Sequence, residues 1–209
     1  MNGKILVVAA VRQELAAFRP ADGQVSCRLT GMGAKAGKVV ETLLSRGSYR
    51  LVVSAGFAGG AQPGSRVGDL VVASEVIDLV SGRVSAAEPV GSRLKELARQ
   101  GSFITVDRVL SGPVKSDMGR KFGAIAVDME TAAVADAAER AGVPWVGLRA
   151  ILDPVEISIP ISSWPQAAAR LAQPWRWGDV RNLIGSVRLA GESLGVGLKV
   201  LVEETVSRN

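Results

Sequence analysis

Short unbroken apolar runs, separated by helix-like stretches, constrain the fold of this chain more than any other feature of its sequence. A strand that is buried on both faces of a sheet gives such a run, whereas a half-exposed strand alternates apolar and polar residues. The pattern over 209 residues therefore predicts one α/β domain, a three-layer sandwich around a mixed, mostly parallel twisted sheet. The predicted strands are 5–10, 25–30, 51–54, 67–80 (one strand or two), 103–110, 124–127 and 143–150, and the predicted helices are 12–18, 34–46, 129–141 and 183–202.

The rarest residue types exclude several mechanisms. The chain has no histidine, which excludes Ser-His-Asp triads, Cys-His dyads and metal sites that need histidine. Its one cysteine, Cys27, excludes an intrachain disulfide and a CxxC motif. Acid–base chemistry therefore falls to carboxylates, Lys, Tyr or that thiol.

Charge and hydropathy give expectations about partners and location. The net charge of +5 is mild and the basic residues are scattered, which does not favour nucleic-acid binding. No apolar run reaches the ~18 residues of a membrane-spanning helix. The apolar start of the chain is interrupted by Arg12 and Glu14 where a signal peptide would be cleaved. We therefore expect a cytoplasmic protein.

The C-terminal segment, 154–209, differs in composition from the rest. It combines prolines with three tryptophans, Trp164, Trp175 and Trp177, ahead of the last predicted helix. One interpretation is a helix packed on the sheet. The other is an apolar cover over a substrate, or a contact with a membrane surface.

Two glycine-rich stretches lie beside predicted strands. The stretch 30–38 contains Gly31 and Gly33 in a strand-to-helix turn, but it matches neither nucleotide-binding motif: no carboxylate ends the next strand, and the P-loop spacing is wrong. Backbone N–H groups at such a helix start can still hold an anion or a hydroxyl. The stretch 54–60 is interpreted as a second glycine turn, and Gly68 as part of a turn into another buried strand.

Carboxylates follow three of the predicted strands. Glu14 follows the first, Asp128 and Glu130 follow the strand at 124–127, and Asp153 follows the strand at 143–150. Ligands of open α/β sheets bind at the carboxyl ends of strands, so these side chains are candidates for a site. Taken one at a time, each has a structural interpretation: Glu130 could stabilise the helix dipole, and Asp153 could be a turn residue before proline.

These motifs, taken in order, resemble the purine nucleoside phosphorylase and methylthioadenosine/S-adenosylhomocysteine nucleosidase superfamily. The resemblance spans about residues 4–153, and its most specific parts are Asp128-Met129-Glu130 and Arg149-Ala150-x-x-Asp153. The proline- and tryptophan-containing tail is more similar to the hopanoid-associated branch, which is implicated in removing adenine from adenosylhopane.

The resemblance implies cleavage of the N-glycosidic bond of a purine ribonucleoside, with adenine as the expected base and a modified 5′ position. Such cleavage passes through an oxocarbenium-like state. By resemblance, Asp153 is the general acid at the base, Glu130 holds the ribose hydroxyls and stabilises positive charge, and Glu14 activates water. The expected substrate-binding residues are Ala10, Gly33, Gly56, Phe57, Val127, Asp128 and Met129.

Departures from the family pattern bear on the nucleophile and on the 5′ side. Phe57 stands where phosphorylases of the superfamily carry a hydroxyl that helps to hold phosphate, which favours water; Arg12 and Arg66 remain candidates for binding phosphate. The segment after Asp78 is short, which predicts a 5′ side open to a lipid-like substituent.

Three alternatives stay open at this point. They are a phosphate-dependent purine nucleoside phosphorylase, a non-catalytic nucleoside-binding module, and a dinucleotide-dependent enzyme built on Gly31 and Gly33. The resemblance implies no metal and no cofactor, and it implies a homodimer or a larger homo-oligomer. The expected partner is a small-molecule nucleoside, with phosphate as the alternative co-substrate.

Overall fold

The first strand shows how the chain builds two cores at once. The computed structural model describes residues 3–20, 23–156 and 177–207, with side chains from residue 183 onward in the last range. In β1, Ile5 and Val7 enter one apolar core and Leu6 and Val8 enter the other. Successive side chains of a strand point to opposite faces, so a continuous apolar run buries both faces of the sheet.

Helices cover both faces of the sheet. The last helix, α5, buries Leu194 and Leu198 in the core that contains Ile5. Helices α1 and α4 close the other core, where Val40 and Val134 pack near Trp145. This three-layer α/β arrangement confirms the predicted fold class. The strands are β1 (Lys4–Ala9), β2 (Val25–Leu29), β3 (Tyr49–Gly60), β4 (Leu70–Asp78), β5 (Val84–Ala86), β6 (Ala98–Thr105), β7 (Ala124–Asp128) and β8 (Trp145–Asp153), and the helices are α1 (Lys35–Arg46), α2 (Ser92–Leu97), α3 (Gly112–Phe122), α4 (Thr131–Arg140) and α5 (Trp177–Ser207).

Strand pairing brings the ends of distant strands together. The sheet order is β2-β1-β3-β7-β6-β4-β5, and β8 pairs with both β3 and β4. The pairings β3–β7, β7–β6, β6–β4, β4–β8 and β8–β3 therefore form a closed ring. Most of these strand pairs are parallel, whereas β3–β7 and β4–β8 are antiparallel. The ring places the ends of β7 and β8 on either side of the end of β3.

The interpretation of residues 54–60 as a turn is wrong. These residues continue β3, which runs to Gly60 and pairs with β8 along most of its length. Its glycines let neighbouring side chains come close to the strand backbone. A Cβ on Gly56 would lie 2.7 Å from Glu14 Oε1, and one on Gly60 would lie 2.2 Å from Ser65 Oγ. Glycine inside a strand commonly marks such a site. The glycine turn at 30–38 is confirmed, with φ of +74° at Gly31 and +72° at Gly33.

Several predicted boundaries shift. The strand predicted at 103–110 is instead Ala98–Thr105. The prediction missed the first half of this strand because that half is polar and is held by backbone pairing with β4. The helix predicted at 12–18 is a 3-10 turn, Arg12–Leu15. The strand predicted at 143–150 extends to Asp153, so this carboxylate ends the strand.

The C-terminal helix packs on the sheet, as one of the two interpretations of the tail predicted. Ala190, Leu194 and Leu198 are fully buried there. Trp164, Trp175 and the side chain of Trp177 lie outside the described residues, as does the predicted cover over the substrate. No helix in the described ranges combines the length and apolar character that crossing a membrane requires.

Candidate active site

The carboxylates predicted from three strand ends line one cavity. Glu14, Glu130 and Asp153 surround a cavity of about 190 Å³ at the ends of β1, β3, β7 and β8. Of the predicted substrate-binding residues, the same cavity is lined by Ala10, Phe57, Val127, Asp128 and Met129. Gly33 and Gly56 lie beside the carboxylates: the N–H of Gly33 donates to Glu130, and Gly56 leaves free the space beside Glu14 that a Cβ would occupy. The structure thus assembles the predicted residues, while their roles stay predictions.

Glu14 is a buried carboxylate held by backbone donors. Its Oε2 accepts hydrogen bonds from the N–H groups of Ala10 (2.8 Å) and Val11 (3.0 Å), and its Oε1 accepts one from the N–H of Phe57 (2.9 Å). Burial raises the pKa of Glu14, while these donors and the nearby Arg149 oppose the shift. A carboxylate in this environment stays oriented by its donors and is a stronger base than one in water.

Glu130 joins the glycine turn to the start of α4. Its Oε1 accepts a hydrogen bond of 2.8 Å from the N–H of Gly33, 97 residues away in sequence. Burial and the neighbouring Asp128 carboxylate raise the pKa of Glu130 to about 7, against the opposing effect of Arg149. Two carboxylates that share a small site disfavour each other's ionisation, so this group exchanges its proton near neutral pH.

Asp128 serves the framework of the site. Its carboxylate accepts hydrogen bonds from Thr105 Oγ1 (2.6 Å), Thr131 N–H (3.2 Å) and Arg149 Nε (3.0 Å). Arg149 is 1% exposed and also donates from Nη1 to the carbonyl of Ser54 at 2.6 Å. A buried charge needs such complete pairing. The Asp128 side chain is thereby engaged by protein partners.

Asp153 forms an ion pair that the sequence did not predict. The ammonium group of Lys115, on α3, donates to Asp153 Oδ2 and, at 2.7 Å, to the Asp153 carbonyl. The Lys115 side chain is 2% exposed and that of Asp153 is 16% exposed. Burial raises the pKa of Asp153, and the Lys115 ammonium group opposes that rise.

The sequence carried one signal that could have found Lys115. The buried positions of α3 are Gly112, Lys115 and Gly119, which share a face at helical spacing. A lysine between glycines on a buried face is unusual, because lysine is almost never fully buried unless it is paired. A Cβ on Gly119 would lie 1.9 Å from the Ala61 carbonyl, so glycine lets α3 approach the end of β3.

The two arginines that were candidates for binding phosphate lie outside the cavity. Arg12 and Arg66 are exposed, and neither lines the cavity. Arg108, which was not predicted, lines its mouth together with the partly exposed Met32 and Val109. Within the described residues, no group of His, Cys, Asp and Glu is arranged to hold a metal ion.

Comparison with known proteins identifies the family. The family model for the Phosphorylase superfamily matches residues 9–173, which include every site carboxylate. The chain belongs to the phosphorylase superfamily. Within that superfamily it is 36% identical over 135 residues to a futalosine hydrolase of Streptomyces coelicolor, an alignment that covers 51% of this chain and 55% of the relative.

A longer alignment covers more of another superfamily member. The chain is 28% identical over 179 residues to a 5′-methylthioadenosine/S-adenosylhomocysteine nucleosidase of Oceanobacillus iheyensis, covering 72% of this chain and 78% of that one. A nucleosidase of the same type from Anoxybacillus flavithermus is 30% identical over 137 residues, covering 53% of this chain and 59% of that protein. In the first and last of these three alignments, the chain spans little more than half the length of the relative.

Solved structures of superfamily members share the fold. The 5′-methylthioadenosine nucleosidase of Arabidopsis thaliana, in apo form, superposes with a TM-score of 0.75 at 18% identity, covering 99% of this chain and 97% of that one. The native futalosine hydrolase of Helicobacter pylori gives a TM-score of 0.69 at 20% identity, covering 97% and 98%. At these identities the likeness establishes the fold.

Proposed function

We propose that this chain hydrolyses the N-glycosidic bond of a purine ribonucleoside. One observation carries the proposal: the backbone N–H groups of Ala10, Val11 and Phe57 converge on the Glu14 carboxylate. Converging N–H groups are a general means of binding an anion. Here they already hold one, so phosphate would have to approach a carboxylate. Glu14 is instead suited to take a proton from water.

The proposed reaction divides among three carboxyl groups. Glu14 takes a proton from water as the water oxygen bonds to C1′. The C1′–N9 bond breaks and its electron pair stays with the purine, which gains a proton at N7 from Asp153. The ionised form of Glu130 holds the ribose hydroxyls and stabilises the positive charge that develops on the sugar. The products are free ribose, or its 5′ derivative, and the free base.

The electrostatics of the site support these roles. An acid at the leaving base must carry a proton, and the pKa of Asp153 is raised by burial. A base must be ionised, and three N–H groups favour the ionised form of Glu14. Burial raises the pKa of both groups, and the two sites differ in what opposes the rise: backbone N–H groups at Glu14 and the Lys115 ammonium group at Asp153.

The names of the relatives agree with this reaction class. One relative is named a futalosine hydrolase and another a 5′-methylthioadenosine/S-adenosylhomocysteine nucleosidase, and nucleosidase structures include complexes with adenine and with 5′-methylthioadenosine. We propose adenine as the preferred base and assembly of the chain into a homo-oligomer.

A finer proposal concerns the 5′ substituent. Met32 and Val109 line the cavity, each is 45% exposed, and the partly buried Leu110 lies with them. Exposed apolar side chains around a cavity commonly mark a contact surface. We propose that they contact an apolar 5′ group, of which the hopane of adenosylhopane is the largest candidate.

The function is tested by free-base release in phosphate-free buffer. The panel comprises adenosine, inosine, 5′-methylthioadenosine and 5′-alkyl adenosines of increasing chain length, with free base measured by chromatography. The proposal expects base release that rises with the length of the alkyl chain. No release from any member would overturn the proposed activity, and a strong preference for unmodified adenosine would overturn the apolar 5′ group.

A further inference from the structure

The Lys115–Asp153 pair carries an inference that rests on the proposed function and extends it. A buried ion pair is weak evidence for stability, because desolvation of the two charges can exceed their attraction. Lys115 is 2% exposed and lies on the buried face of α3, where an apolar side chain would avoid that cost. The position of the pair, on the wall of the proposed site, therefore calls for a functional reason.

The two carboxyl oxygens of Asp153 have different contacts. Oδ2 is held by the Lys115 ammonium group, which also donates to the Asp153 carbonyl at 2.7 Å and to the Pro154 carbonyl at 3.5 Å. Oδ1 accepts no hydrogen bond from the Lys115 ammonium group, which is directed at Oδ2 and at the two carbonyls. The Asp153 side chain is 16% exposed and lines the cavity, so its carboxyl group can be reached from the cavity.

A glycine on β3 makes room for this arrangement. A Cβ on Gly59 would lie 2.8 Å from Lys115 Cδ and 3.1 Å from Asp153 Oδ1. The absence of a Cβ at Gly59 therefore leaves the space that the Lys115 side chain and the Asp153 carboxyl group occupy. Both side chains line the same cavity as Glu14 and Glu130.

We propose that Lys115 is a positioning residue, which holds Asp153 through Oδ2 and its carbonyl so that Oδ1 is presented to the leaving base. Proton transfer depends steeply on such placement, since a displacement of about 1 Å can cost about 100-fold in rate. Lys115 acts through Asp153, with its own N–H groups directed at protein oxygens.

The charge of Lys115 gives the pair a measurable signature. As general acid, Asp153 must be protonated, so the rate falls as pH rises through its pKa. The Lys115 ammonium group opposes the rise in that pKa, so its removal moves this alkaline limb to higher pH. The other charged groups facing Asp153 and Lys115 are those that line the cavity or act on Lys115: Glu14, Arg108, Asp128, Glu130 and Glu156.

The experiment combines Lys115→Met with Asp153→Asn, singly and together, in the full chain. The readouts are kcat for base release and its dependence on pH. Lys121→Met is the matched control, because Lys121 lies on the same helix and is exposed. We expect Lys115→Met to lower kcat about 10- to 100-fold in the native background and less than about threefold in the Asp153→Asn background. The alkaline limb should move to higher pH, while Lys121→Met should leave it in place.

Each contrary result overturns a different claim. Equal losses from Lys115→Met in both backgrounds, with an unmoved alkaline limb, would show a merely structural lysine and overturn the inference. Unchanged turnover in Asp153→Asn would overturn the proposed acid, and the inference with it. If Lys115→Met does not fold, Lys115→Gln keeps an N–H donor for the carbonyls without the charge. Full activity and an unmoved limb in that variant would likewise overturn the inference.

Discussion

Arg149 and Asp128 form a salt bridge of 3.0 Å in which the two side chains are 1% and 0% exposed. It joins the end of β7 to β8, and its Asp128 lines the cavity. The same guanidinium group binds the carbonyl of Ser54 on β3, so three strands of the ring meet at one cation. Its charge also opposes the rise in the pKa of both Glu14 and Glu130.

Arg149→Met should therefore destabilise the protein strongly. It leaves the Asp128 carboxylate buried without its counter-ion, which costs about 3–5 kcal/mol in the free energy of unfolding. Urea denaturation measures this change. Arg120→Met is the control, because Arg120 pairs with Asp117 on the exposed surface and should cost less than about 1 kcal/mol. Similar values for both variants would contradict the structural role of Arg149.

Glu14→Gln should abolish most of the turnover. The amide cannot take a proton from water, and general-base catalysis contributes about 100- to 10,000-fold. Base release in phosphate-free buffer measures the loss. Glu41→Gln, an exposed change on α1, is the matched control and should retain full activity. A Glu14→Gln variant that is folded and fully active would exclude Glu14 as the base.

Glu130→Gln should stabilise the protein more at pH 8 than at pH 5. The pKa of Glu130 is raised from 4.5 to about 7, so the native state binds this proton more tightly than the unfolded state. Stability from this group is present below the unfolded pKa and is lost as pH rises towards 7. The glutamine carries no charge, so the gain in the free energy of unfolding should be about 2–3 kcal/mol larger at pH 8 than at pH 5. Thermal melts at both values measure this, and equal gains would contradict the pKa.

Gly59→Ala should impair catalysis, because it crowds the Lys115–Asp153 pair. The new methyl group would lie 2.8 Å from Lys115 Cδ and would displace the Lys115–Asp153 pair. We expect base release to fall about 10-fold or more. Gly185→Ala is the control, since the new methyl group meets no atom within 4 Å. That variant should keep its activity, and the replacement of a helical glycine should stabilise α5 by up to about 1 kcal/mol. An active Gly59→Ala variant would show that the pair tolerates displacement.

The sequence predicted the layers and the three carboxylates because both depend on local patterns. The apolar run Ile5–Ala9 required a strand buried on both faces, and Glu14, Glu130 and Asp153 stand at or just beyond strand ends. A parallel arrangement brings such ends together, and the structure places all three on one cavity.

The features that the sequence did not predict depend on contacts between distant segments. The spacing of Gly112, Lys115 and Gly119 marks a buried face of α3, but the partner of Lys115 is set by where β8 ends, which no local pattern shows. Similarly, the glycines of 54–60 resemble those of a turn in the sequence. In the structure, Gly56 and Gly60 lie in a strand, where the absence of a Cβ leaves room for the side chains of Glu14 and Ser65.

Base release in the absence and presence of phosphate tests the central claim most directly. The purified protein is incubated with a 5′-modified adenosine at equal ionic strength, and both the free base and the sugar product are identified. With the Ala10, Val11 and Phe57 N–H groups held by Glu14, the account predicts equal rates and free reducing sugar in both conditions. A rate that requires phosphate, with a sugar 1-phosphate as product, would contradict it.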